Sequence, residues 1–161
     1  MKLQYLFMLI ISFTSVSPAF AGAEKFDTQM KKVVEPYLKI QVLLASDSTK
    51  GISDLAKKIA DASKTLDTKE VTGEHAAHFM KIPSELNKAA EEVSKAKDLE
   101  SARFHFKKIS QTMAMWAGMS KPQNLNVMYC PMAKASWLQT GKKVHNPYYG
   151  QKMLSCGEMV K

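Results

Sequence analysis

The residues of this sequence best suited to chemistry carry sulfur and lie near its end. The chain has two cysteines, Cys130 in the stretch YCPM and Cys156 in MLSCGEM. Met132 lies two residues from the first, and Met153 and Met159 lie three residues from the second. Thiolates and thioethers are soft ligands that favour Cu(I) and, by the same chemistry, Ag(I). The pattern is therefore compatible with a soft-metal site.

His145 adds an imidazole between the two stretches, and two thiolates with an imidazole would also suit Zn(II). Alternate side chains of an extended segment point the same way, so Cys130 and Met132 can converge. In the second stretch the sulfur residues are three apart, and a tight turn helped by Gly157 would be needed to bring them together. Such a turn would complete a mixed thiolate and thioether site.

The same two cysteines also suit a disulfide. An exported protein with two cysteines most often oxidises them, and a loop closed between Cys130 and Cys156 contributes about 3 to 4 kcal/mol on chain-entropy grounds. The neighbouring methionines change this little, because methionine also fills gaps in hydrophobic cores. Residue types alone therefore leave both the disulfide and the metal site open, with the disulfide as the commoner outcome.

The start of the chain has the features of a secretory signal peptide, which we place at residues 1–21. Lys2 precedes an apolar run, and Ala19-Phe20-Ala21 has the small-x-small pattern that signal peptidase cleaves. The run is too short to span a bilayer. We therefore expect residues 22–161 to be an exported, periplasmic domain with no membrane segment in the mature chain.

The composition narrows the class of partner. The formal net charge is +8, and the lysines are spread singly and in pairs along helix-like segments, which is typical of a solvated basic face. Export argues against nucleic acid as a partner. No nucleophile, base and orienting group stand together in the sequence, and no glycine-rich phosphate loop is present, so an enzyme is not expected.

Apolar residues recur at helical spacing through most of the mature chain. Pro36 predicts a kink or a fresh start in the first helical segment, and Pro83 predicts an interruption in the third. Short links between the segments favour an antiparallel four-helix bundle over residues 22–120. The fold class expected is thus mainly α, and the four predicted segments are residues 26–46, 51–66, 72–97 and 99–119.

The composition changes after Lys121, where prolines, glycines and aromatic residues replace the helical pattern. We expect residues 121–161 to form an irregular C-terminal tail of short extended pieces and turns. The extended pieces predicted are NVMYC, SWLQT and KMLSC. Because so short a tail cannot build its own core, it is expected to pack on the bundle, making one domain of residues 22–161.

A second, weaker candidate for metal binding lies in EHAAH, where His75 and His78 share one helical face. Such a pair binds a metal when a third ligand joins it. The spacing is not that of a zinc peptidase, so an exposed histidine pair is the more ordinary interpretation.

The ordered motif YCPMA, WLQ, NPYYG, ML and CGE, spread over residues 129–158, resembles a small bacterial domain family of formally unknown function. Two helical stretches, YLKIQVLLASDSTKGISDLAKKIA and DLESARFHFKKIS, are similar to the helical signatures of that family. The resemblance covers residues 26–160. The domain occurs alone in exported proteins and fused to the periplasmic adaptor subunits of Cus-type copper and silver efflux systems.

The resemblance implies periplasmic heavy-metal handling in efflux, resistance or delivery, with copper as the first candidate ion and silver or zinc as others. It carries over to Cys130, Met132, Met153 and Cys156, which match the motif. His145 and Met159 join the set by proximity and ligand chemistry. A disulfide-clamped interaction module of an exported assembly, with no metal role, is the competing hypothesis.

Overall fold

The structure is a computed structural model that describes residues 18–160, with side chains described from residue 22. This part of the chain contains four long helices, one short helix and a small antiparallel sheet. The helices are α1 (Pro18–Ala45), α2 (Ile52–Lys64), α3 (Ala76–Phe79), α4 (Ile82–Ser94) and α5 (Leu99–Ser120), and the strands are β1 (Asn126–Cys130), β2 (Ala135–Gln139) and β3 (Glu158–Met159).

The mainly helical class predicted from the sequence is confirmed. Helix α2 packs against α1 and α4, and α4 packs against α5. The antiparallel bundle arrangement of these helices stays a prediction. Most of the predicted signal peptide lies outside the described residues, and the predicted cleavage point falls within α1. None of the described helices combines the length and the apolar character that a membrane crossing needs.

Helix α1 continues through Pro36 without the fresh start that the sequence predicted. A proline inside a helix removes one hydrogen bond and costs about 3 kcal/mol. On either side of it, Val33, Tyr37 and Ile40 are fully buried in the core. Burying such side chains contributes roughly 1.5 to 3 kcal/mol each, so packing outweighs the cost of the proline.

The tail is more regular than the irregular segment predicted. Its three strands form a sheet in the order β2-β1-β3, with both neighbouring pairs antiparallel. NVMYC forms β1 and SWLQT overlaps β2, as expected. The third piece, KMLSC, was predicted wrongly: a 3-10 helix at Gly150–Lys152 and a turn occupy it, and the third strand comes after it.

The reason for the wrong third strand is a closed loop that begins at Asn146. The Gly150 N–H donates to the Asn146 carbonyl at 3.1 Å, and the Asn146 N–H donates to the Leu154 carbonyl at 2.9 Å. Gly150 has a φ of +55°, a left-handed value that favours glycine and bends the chain back. The backbone groups that a strand would need are therefore already used within the loop.

The tail shares one hydrophobic core with the helices. Met128, Trp137, Leu138 and Tyr148 are buried in the same cluster as the core residues of α1 and α5. Sheet strands β1 and β2 both contact α5. The sheet is thus held by apolar packing against the helices.

Three polar side chains of the helices also hold the tail. The Tyr37 hydroxyl accepts the Leu138 N–H at 2.9 Å and is 2.9 Å from the Ser110 hydroxyl. Burial raises the pKa of Tyr37, so the phenol stays neutral and keeps its proton for hydrogen bonding. The other two anchors are Gln41, which donates to the His145 carbonyl at 2.6 Å, and Arg103, which donates to the Pro147 carbonyl at 2.9 Å.

Candidate thiol site

The structure brings the two cysteines into contact. Cys130 is the last residue of β1 and is fully buried, and Cys156 lies half-buried just before β3. Both are free thiols, with their Sγ atoms 3.0 Å apart. A disulfide bond is about 2.05 Å long, so the sulfur atoms are in hydrogen-bond contact and are not bonded.

A turn after β1 aims a backbone donor at Cys130. The Lys134 N–H donates to the Pro131 carbonyl at 3.3 Å, which closes the turn between β1 and β2. Within it, the Ala133 N–H donates to Cys130 Sγ at 3.4 Å. The proline that follows the cysteine thus belongs to a turn that supplies hydrogen bonds to the thiol.

Gly157 positions the second cysteine. Its φ is +147°, and a Cβ added there would lie 2.6 Å from Cη2 of Trp137 and 3.1 Å from the Tyr129 carbonyl oxygen. The chain can therefore pass this close to the buried indole only at a glycine. This close passage of Gly157 lets Cys156 lie against Cys130, whereas the convergence of Met153, Cys156 and Met159 expected from a turn at Gly157 stays a prediction.

Asn146 precedes Pro147 in the tail, and its side chain acts on both cysteines. It is fully buried, and its Nδ2 donates to the Cys156 carbonyl at 2.7 Å. The carboxamide also acts to lower the pKa of the Cys130 thiol. Its Oδ1 accepts the Tyr148 N–H at 2.8 Å. An Asn-Pro pair signals a turn from local sequence, whereas contacts with residues ten and sixteen positions away carry no local signal.

The two thiols ionise at different pH. Burial raises the pKa of Cys130, but the hydrogen bond from the Cys156 thiol opposes this effect. Further donors, the N–H groups of Ala133 and Met132 and the side chain of Asn146, leave the pKa of Cys130 below its ordinary value. The hydrogen bond to Cys130, burial and the Cys130 charge raise the pKa of Cys156. The first proton therefore leaves Cys130, and Cys156 keeps the second.

Single-cysteine variants test this asymmetry. In Cys156→Ala we expect the remaining thiol to titrate above the first step of the native pair, because it has lost its strongest donor. In Cys130→Ala we expect the remaining thiol to titrate below the second native step, because the neighbouring charge is gone. Thiolate ultraviolet absorbance against pH measures both. Equal, unshifted titrations in the native protein and both variants would contradict the assignment.

The same asymmetry fixes how the pair affects stability. A lowered pKa in the folded state makes stability rise with pH from that value up to the ordinary thiol pKa. A raised pKa makes stability fall with pH above the ordinary value. The contribution of Cys130 and Cys156 should therefore be greatest near the ordinary thiol pKa, and a double Cys130→Ala, Cys156→Ala variant should lose that maximum in denaturant unfolding.

The three predicted methionine ligands are partly exposed. Met132, Met153 and Met159 have 62%, 37% and 39% of their surface exposed, and they are among the few large apolar residues of the described chain that are not covered. The Met132 backbone N–H also acts to lower the pKa of both thiols. The three thioether side chains are thus open to solvent, and their joining the two thiols in one site stays a prediction.

The histidines are placed differently from the thiols. His145 is exposed, and its backbone rather than its ring is held, by Gln41 and by Gln139. His75 and His78 are also exposed, with ring centroids 6.4 Å apart. Within residues 18–160 there is no group of three or more His, Cys, Asp or Glu side chains that could hold a metal ion. Metal binding by any of these histidines stays a prediction.

One comparison with known proteins gives a match. The model of a family described as "Protein of unknown function (DUF3347)" matches residues 33–124, more than half of the chain. The match begins within α1, runs through α5 and ends before β1. Neither the curated proteins nor the solved structures give a match. The thiol pair thus lies outside the matched region.

Proposed function

Because the chain belongs to the DUF3347 family, whose description assigns no activity, we propose its function from the thiol pair. We propose that the protein is a periplasmic binding protein for Cu(I) or Ag(I), acting in efflux, resistance or metal delivery, and is not an enzyme. The observation that carries the proposal is the contact of the Cys130 and Cys156 sulfurs at 3.0 Å. The helices, arranged as an antiparallel bundle in this proposal, serve as the support.

The ligand set supports a soft, monovalent ion. Two thiolates with one or two thioethers match the preference of Cu(I), whereas harder ions prefer oxygen and imidazole ligands. Metal–thiolate distances are near 2.3 Å, so two thiolates on one tetrahedral ion lie roughly 3.8 Å apart. Cys130 and Cys156 would therefore separate by about 1 Å to admit an ion. Cys156 is the half-exposed partner and is followed by a strand of two residues, so its segment is the one suited to move.

The proposed sequence of events follows from the thiol ionisation. Cys130 supplies the first thiolate, and Cys156 releases its proton as the ion binds, because the positive charge replaces the proton between the sulfurs. Exposed Met132 then offers a thioether at the surface. Transfer to a periplasmic adaptor or another component of a heavy-metal efflux system would proceed by ligand exchange at this exposed side.

Titration with Cu(I) against a competing chelator, under reducing and oxygen-free conditions, tests the proposal. We expect one ion per chain, and a loss of at least about 100-fold in affinity in a Cys130→Ser, Cys156→Ser variant. That loss corresponds to roughly 2.7 kcal/mol. An affinity equal in the native protein and the double variant would refute the metal function.

Met132→Leu tests the thioether contribution separately. Its matched control is Met80→Leu, because Met80 is similarly exposed, at 60%, and follows α3 in the helical part. We expect the Met132 change to weaken Cu(I) binding by about tenfold, or 1.4 kcal/mol, and the control to leave it unchanged. Equal affinities would limit the site to the two thiolates.

The sulfur contact also favours a second candidate, the disulfide-clamped interaction module. The thiols are about 1 Å from bonding distance, and the tail that carries them is held to the helices at several points. Mass spectrometry of protein isolated without reductant separates the two functions. A fully oxidised pair that resists mild reduction supports the clamp, whereas a reduced or easily reduced pair supports the metal site.

A further inference from the structure

The positive charge of the mature chain is concentrated in the tail. Residues 22–120 contain 16 basic and 14 acidic residues, a net charge of +2. Residues 121–161 contain six lysines and one acidic residue, Glu158, a net charge of +5. Basic residues are about equally dense in the two parts, so the excess arises because the segment with the thiols has almost no acidic residues.

A groove with basic and aromatic walls lies between α5 and the tail. Its volume is about 550 Å³, and Phe104, Lys107, Tyr148, Tyr149 and Lys152 line it together with Arg103. Phe104 is 61% exposed although it is a large apolar residue. An aromatic ring left open at the edge of a groove is typical of a binding surface for a partner.

The charges of the groove differ in availability. Arg103 is paired with Asp47, so its charge is already compensated. The Lys107 ammonium lies over the Tyr148 ring, 5.6 Å from the ring centroid. Lys152 is exposed, and no ion pair to it is found in the described residues. Glu100 is the single acidic residue in the lining. The groove therefore offers two lysines to an incoming anion.

The groove adjoins the thiol site through two hydrogen bonds. The Lys107 ammonium donates to the Ala133 carbonyl at 3.2 Å, and the Tyr149 hydroxyl donates to the Met132 carbonyl at 3.2 Å. Both acceptors belong to the turn that follows Cys130. A molecule seated in the groove would therefore lie close to the backbone of this turn.

We propose that this groove binds an acidic segment of a partner protein, with an aromatic or large apolar side chain of that segment packed against Phe104. The concave shape suits a peptide better than a flat bilayer, and the acidic Glu100 in the lining disfavours anionic lipid. A second copy of this tail is repelled by like charge. Peptide docking does not depend on the metal function. Only the further idea that the docked partner receives the metal by ligand exchange rests on the proposed function.

The probe is a short synthetic peptide in which aspartates flank one phenylalanine, titrated by fluorescence anisotropy into the metal-free full chain. The groove variant is Lys107→Gln, Lys152→Glu. The control is Lys57→Gln, Lys64→Glu, which makes the same change in net charge on α2, a helix that packs on α1 and α4. We expect the groove variant to weaken binding by at least about tenfold and the control by less than about twofold at moderate salt.

Phe104→Ala is a second variant. Because Phe104 is exposed, we expect the variant to keep its fold, and thermal unfolding measures whether it does. It should weaken binding of the phenylalanine peptide and leave unchanged the binding of a peptide with alanine in place of phenylalanine. Equal weakening by the groove and control variants would overturn the proposal in favour of general charge attraction. Stronger binding to phosphatidylglycerol vesicles than to the peptide, lost in the groove variant, would overturn it in favour of a membrane. Failure of the Cu(I) titration would leave the peptide result standing.

Discussion

Asn146→Asp is expected to destabilise the fold by about 3 kcal/mol and to raise the pKa of Cys130. Asparagine and aspartate have the same shape, so the change keeps the packing and replaces the Nδ2 donor by a charged acceptor. That donor meets the Cys156 carbonyl at 2.7 Å and supports the Cys130 thiolate. A carboxylate would direct a negative charge at both acceptors from a fully buried position, where an uncompensated charge costs several kcal/mol.

Asn126→Asp is the matched control for this change. Its Nδ2 also donates to a backbone carbonyl, that of Gly141, at 2.8 Å, but the hydrogen bond is exposed to solvent. We expect a loss of less than about 1 kcal/mol there, because water replaces the lost partner. Denaturant unfolding and the ultraviolet thiol titration measure both variants. Similar stabilities, with an unshifted Cys130 pKa in Asn146→Asp, would show that Asn146 serves only the turn.

The second large effect is expected for Gly150→Ala, which should cost more than about 3 kcal/mol. A Cβ at this position would lie 1.8 Å from Asp47 Oδ1 and 2.2 Å from Arg103 Nη2. The clash would separate Arg103 from Asp47 or push the loop away from both. Arg103 also donates to the Pro147 carbonyl at 2.9 Å, so the loop would lose this contact as well. A left-handed alanine adds about 1 to 2 kcal/mol of backbone strain.

Gly141→Ala separates the backbone strain from the clash. Gly141 also has a positive φ, +78°, but a Cβ there would have no neighbour within 4 Å. Its expected cost is therefore the strain alone, about 1 to 2 kcal/mol. The difference between the two variants in the free energy of unfolding measures the clash at Gly150. If the two glycine variants unfold alike, the contact of Gly150 with Asp47 and Arg103 does not hold the loop.

The helices were predictable because their signals are local. The spacing of buried side chains in α2, from Ile52 through Ala56 and Ile59, is the helical period itself. Asp98 caps α5, as an aspartate just before a helical segment commonly does, by accepting the Ser101 N–H at 2.7 Å. The uninterrupted path of α1 through Pro36 was not predictable, because local rules break a helix at proline and only burial in the assembled core reverses that preference.

The site was predictable in its sulfur residues and not in its geometry. Composition and motif pointed to Cys130 and Cys156, but spacing along the chain could not say whether the sulfurs meet. Their contact depends on the strand pairing of the tail and on the approach of Gly157 to Trp137. The role of Asn146 was missed because its partners are distant in sequence. KMLSC was predicted as a strand from its apolar residues. The hydrogen bond from the Asn146 N–H to the Leu154 carbonyl, which makes it part of a loop, leaves no signal in those residues.

Hydrogen bonds made by one face of α1 bear on the order in which parts of the molecule fold. Tyr37, Gln41 and Leu44 lie at helical spacing and hold Leu138, His145 and Arg103 through hydrogen bonds. The first two of these hydrogen bonds join residues 101 and 104 positions apart. Contacts between such distant residues form slowly and late, since a long loop must close first. A chain synthesised from its N-terminus would complete its helices before its last residues could dock, and the thiols would meet only in the finished molecule.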